Sequence, residues 1–113
     1  VAERGGTRWA VELRASSRAL REDGTFDPQD GPPLPYPTLE SYLALCWREK
    51  RGQLEATMAA EGCARGLLAV SVTGERGDAW ERALARAYVE AGRPAGVCLG
   101  LLWGERLLAF PAV

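Results

Sequence analysis

From Trp9 to Ala15 the chain alternates: Trp9, Val11, Leu13 and Ala15 fall on one face, Ala10, Glu12 and Arg14 on the other. A period of two with one polar face predicts a half-buried strand, and the apolar face is the one expected to bury. Residues 16–37 show no sustained period. Asp23-Gly24 is a turn signal, with Leu20 and Phe26 placed to close a short hairpin across it. Four prolines then fall within Pro32–Pro37. They bar both helix and central strand and favour an extended connection.

Leu39, Leu43, Cys46, Trp47, Leu54 and Met58 recur at helical spacing. Thr38 supplies an N-cap, Glu40 an acidic first turn and Gly62 a stop. Gly52 interrupts the stripe, so the pattern leaves open one bent helix or two short ones. Leu67–Thr73 is a short apolar run with Val70 and Val72, expected as a buried strand. Trp80, Ala83, Leu84, Ala87, Tyr88 and Ala91 form the cleanest helical stripe. Asp78 is expected as its cap, Asp78–Arg82 and Arg86–Glu90 as supporting ion pairs, and Gly92 and Pro94 as its end.

Val97–Trp103 and Arg106–Phe110 flank Gly104-Glu105, the signature of a type II′ hairpin. That turn sets Trp103 against Arg106, Leu101 against Leu108 and Leu99 against Phe110. Both faces of the hairpin are largely apolar, which predicts a central place in the sheet, covered on both sides.

The elements read β-α-(α)-β-α-β-β in one domain spanning residues 1–113. The class expected is α+β or α/β, a small single-layer mixed sheet with helices packed on it. Strands joined through helices should run parallel, and the final pair antiparallel. The order resembles that of thioredoxin-like domains, including a proline, Pro94, just before the penultimate strand. It departs from them in having no C-x-x-C and no closing helix before Val113.

Composition changes this picture mainly by exclusion. The chain has 113 residues, 47 % hydrophobic and 26 % charged, with net charge -1. A core is expected, and no basic excess points to nucleic acid. No apolar run is long enough to span a bilayer, and Val1–Gly6 lacks the apolar centre of a signal peptide, so a cytoplasmic setting is expected. Arginine is the cation at every basic position except Lys50, a bias that fits a GC-rich bacterial genome. There is no histidine, which removes Ser-His and Cys-His nucleophile pairs and His-ligated metal. Cys46, Cys63 and Cys98 are too dispersed for a close-spaced metal pair, and are expected as free thiols. Gly74–Asp78 lies between strand and helix but lacks the phosphate-loop patterns, and its Asp78 and Glu81 sit where an anion would go.

These readings favour a small interaction or regulatory domain working through protein contacts, with a protein partner or self-association as a homodimer, and no cofactor, nucleic acid or membrane. The expected contact surface is Leu34, Pro35 and Tyr36, because a long proline-rich loop carrying apolar side chains suits recognition. The alternative is a thioredoxin-like small enzyme or ligand-binding domain using a thiol or Lys50. Its candidate residues are Lys50 on the apolar side of the first helix, and Cys63 with Arg65 at the turn that follows.

Overall fold

A computed structural model describes residues 1–28 and 36–113. The fold is α+β, with one curled, mixed, five-stranded sheet and two helices. The elements are β1 (Ala2–Arg4), β2 (Thr7–Ala15), α1 (Leu39–Glu61), β3 (Arg65–Val72), α2 (Asp78–Glu90), β4 (Val97–Trp103) and β5 (Arg106–Phe110). The strands lie side by side in chain order. β2, β3 and β4 are parallel to their neighbours, while β1 and β5 close the two ends as antiparallel partners. β1 has no counterpart in the hydrophobic pattern: Ala-Glu-Arg is too short and too polar to show a period, and only the following Gly5-Gly6 pair signals its turn.

α1 is one continuous helix across Gly52. Thr38 caps it: its hydroxyl accepts from the Ser41 N–H, and the Ser41 hydroxyl stands at the Thr38 N–H in return. Leu39, Leu43, Cys46, Trp47 and Leu54 are buried, joined by Tyr42, and Gly62 ends the helix in the left-handed conformation. Gly52 is exposed, and a side chain added there would meet nothing. Gly52→Ala is therefore expected to stabilise the protein by about 0.5–1 kcal/mol, the helix-interior cost of glycine, measured by urea denaturation.

α2 buries Trp80, Ala83, Leu84 and Ala87 as the stripe predicts. Its cap differs from expectation. Gly77 occupies the cap position with no side-chain bond, and Asp78 is the first helical residue. Neither Asp78–Arg82 nor Arg86–Glu90 closes to within 4 Å among the described residues. Glu81 pairs instead with Arg76, before the helix.

The 16–28 segment packs onto the domain. Leu20 bridges Phe26 across the Asp23-Gly24 turn as predicted, and both side chains are buried. Leu20 also bridges Gly74, and its N–H donates to the Thr73 carbonyl at 2.7 Å.

The hairpin register matches expectation in every pair. Gly104 takes φ +61° and Glu105 remains at negative φ, as a type II′ turn requires. The hairpin's place in the sheet matches only in part. β4 is an inner strand with Val97–Leu101 buried on both faces, but β5 is an edge strand whose residues are half-buried or exposed. α1 packs on β2 and β3, α2 packs on β4 and β5, and the helices pack on each other, so both lie on one side of the sheet. Right-handed crossovers between strands added always in the same direction must land on the same face.

Candidate functional site

The helix side of the sheet holds the core: Ala10, Leu68, Val70, Val72, Leu99 and Leu101 lie beneath α1 and α2. β2 therefore sits in the opposite phase to the one its alternation suggests. Its polar face is turned under α1, where Arg14 donates to Glu49 at 2.6 Å and the Tyr42 hydroxyl donates to the Ala15 carbonyl at 3.1 Å. Burial pushes the Tyr42 hydroxyl up to about 12, with the neighbouring Cys46 thiol adding to the shift; Cys46 is itself raised by burial.

The apolar face of β2, carrying Val11 and Leu13, consequently looks away from both helices. Register extends that face across the sheet. Val11 lies beside Leu67, and Leu67 beside Cys98; Leu13 lies beside Ala69, Ala69 beside Gly100 and Gly100 beside Ala109; Leu102 lies beside Leu107. Leu13 is 59 % exposed and Leu107 39 %. Gly100 leaves room for the Leu107 and Leu67 methyl groups, each within about 3.2 Å of where a side-chain carbon would stand. Curling brings the two edges of the sheet round one apolar hollow of about 140 Å³. Val11, Leu67 and Leu107 form its floor, with β1 on one rim and Val113 on the other.

Two cations stand on this face: Arg4 on the β1 rim of the hollow, and Arg65 on β3. The Arg65 guanidinium lies 4.6 Å from the centre of the Trp9 ring and donates to Cys98 Sγ at 3.4 Å. Stacking explains why Trp9 is only 8 % exposed on an otherwise open surface. Arg65 Nε is buried without a partner, and no carboxylate lies within 4 Å of the side chain among the described residues.

The residues singled out in the sequence are distributed differently. Leu34 and Pro35 lie outside the described residues. Tyr36 is half-buried and packs inward, 4.3 Å from the Tyr42 ring and 5.9 Å from Phe26. Lys50 is half-exposed on α1, and Cys63 is buried in the turn that follows. Arg65, expected beside Cys63, reaches across the open face to Cys98 instead. All three cysteines are free and buried.

The groove between α1 and α2 is larger, about 480 Å³, and mixed in character, with Leu45 and Trp47 beside Glu40, Arg48 and Glu90. Glu40 and Glu90 face one another there, and burial together with Glu90 holds the Glu40 carboxyl above its usual range, against the pull of Arg86. No helix among the described residues is long and apolar enough to cross a membrane. No family model, no curated protein and no solved structure matches the chain.

Proposed function

We propose that this protein is an interaction domain that works through protein contacts, and that its contact surface is the open face of the curled sheet. One observation carries the reading: β2 turns its apolar side chains away from both helices, leaving Leu13 59 % exposed on the same face of the sheet as Val11, Leu67, Leu102 and Leu107. A contiguous apolar surface of this kind marks a binding site more often than it marks the wall of a monomer. The partner that fits it presents an apolar face of its own with a carboxylate for Arg65, a cation of the surface that has no ionic neighbour among the described residues and whose Nε is buried without a partner. Free thiols at all three cysteines suit a reducing compartment, and we place the protein in the cytoplasm.

Leu13→Glu tests this. The side chain is mostly in water, so folding stability is expected to hold within about 0.5 kcal/mol. In native mass spectrometry of the protein purified from its own source, the wild type is expected to carry a stoichiometric protein partner that Leu13→Glu loses. A partner retained by the variant, or no partner on the wild type, overturns the reading. The thiol or lysine alternative has less support: Arg65 turns to Trp9 and to the fully buried Cys98, and Lys50 is half-exposed on α1.

A further inference from the structure

The edge of the sheet at β5 carries chemistry of its own. In a hairpin closed by two residues, the flanking pair Trp103–Arg106 exchanges hydrogen bonds. The alternation that follows turns the N–H and C=O of Arg106, Leu108 and Phe110 toward β4, and those of Leu107 and Ala109 outward. The outward groups lie at the sheet's edge, because among the described residues β5 has no neighbour beyond it. Exposed apolar edges are templates for further pairing, and proteins normally blunt them with lysine, proline or a bulge. None of these interrupts Arg106–Phe110, where Leu107 and Phe110 are both exposed. β1, the opposite edge, spans only Ala2–Arg4 and is mostly charged.

We propose that β5 pairs antiparallel with β5 of a second copy of this chain, about a two-fold axis through Leu108, to form a homodimer with one continuous sheet. The strand is self-complementary in that register. Leu107 and Ala109 of one copy meet Ala109 and Leu107 of the other, so every outward N–H finds an outward C=O. On the helix side Leu108 meets its own copy. At the ends Arg106 meets Phe110, a cation beside a ring, and no like charges are opposed. A two-fold interface demands a patch that complements itself, and this one does; an unrelated extended peptide would need no such match. The dimer is made by the backbone edge of β5 and shares with the partner surface proposed above only the margin at Leu107. It leaves the rest of the open face free and joins two copies of it side by side.

Ala109→Pro is the deciding variant. It removes an outward N–H and no bond to β4, and an edge position accommodates the ring. Sedimentation from micromolar to millimolar concentration is expected to show a dimer for the wild type and a monomer for Ala109→Pro with native circular dichroism. Amide exchange of the unmodified protein gives a second measure that needs no variant. The Leu107 and Ala109 amides are expected to slow as concentration rises, while those of Arg106 and Leu108 stay slow throughout. A wild type that sediments as a monomer throughout, with fast and concentration-independent exchange at Leu107 and Ala109, overturns the dimer and leaves the Leu13 test untouched. A dimer that survives in folded Ala109→Pro overturns this edge as its interface.

Discussion

Trp80→Ala is expected to cost about 4–6 kcal/mol, a large share of the 5–15 kcal/mol that holds a small domain together. The indole is fully buried between α2 and the sheet. Its edge meets Trp103 with ring centres 5.9 Å apart, and its Nε1–H donates to the Arg21 carbonyl at 2.7 Å. Truncation therefore opens a cavity at the centre of the helix layer and removes one of the two hydrogen bonds that the Arg21 carbonyl accepts, the other coming from the Gly24 N–H at 2.9 Å. Trp80→Phe separates the two effects. It keeps most of the volume, drops the N–H, and should cost about 1–3 kcal/mol. Urea denaturation of the three proteins measures both, and a loss below about 1 kcal/mol for Trp80→Ala would show that the ring does not hold the layers together.

Gly74→Ala is expected to cost about 3–5 kcal/mol, with the opposite sign to the same exchange at Gly52. Gly74 sits at φ +123°, and an added carbon would stand 2.0 Å from the Leu20 carbonyl oxygen and 2.8 Å from the Leu20 nitrogen. Both atoms are backbone and neither can swing aside. Around them, the Glu75 N–H donates to Leu20, and the Gly74 carbonyl accepts from Trp103 Nε1 at 3.0 Å. The segment carrying Leu20 and Phe26 must lift for the methyl group to fit. Amide exchange at Leu20 and Phe26 should accelerate by far more than exchange in β3. Uniform acceleration would mean that the variant unfolds globally and that this docking is not a local unit.

Local chemistry determined most of the elements from the chain alone. The Thr38 cap, the Leu39–Met58 stripe and Gly62 delimit α1, the Trp80–Ala91 stripe marks α2, and Gly104-Glu105 sets the hairpin register. Each of these signals acts within a turn or two of backbone, so it is complete in the sequence. The Leu20–Phe26 bridge was legible for the same reason. Which face of a strand turns inward is a different kind of fact. The alternation in Trp9–Ala15 reports a period, and a period has no phase until something covers one side. Here both crossovers land on the same side, so α1 covers the Ala10–Arg14 face, made tolerable by the Arg14–Glu49 pair and the Tyr42 hydroxyl, and Leu13 is left outside. The apolar hairpin likewise reads as central, because its own residues do not record that β5 is the last strand. Arg65 reads as a neighbour of Cys63, two residues away, but strand pairing with β2 and β4 sets it against Trp9 and Cys98. Periodicity and capping are properties of neighbours in the chain; phase, edge position and the open face depend on strand order and on where two helices come to rest, and only the tertiary structure decides those.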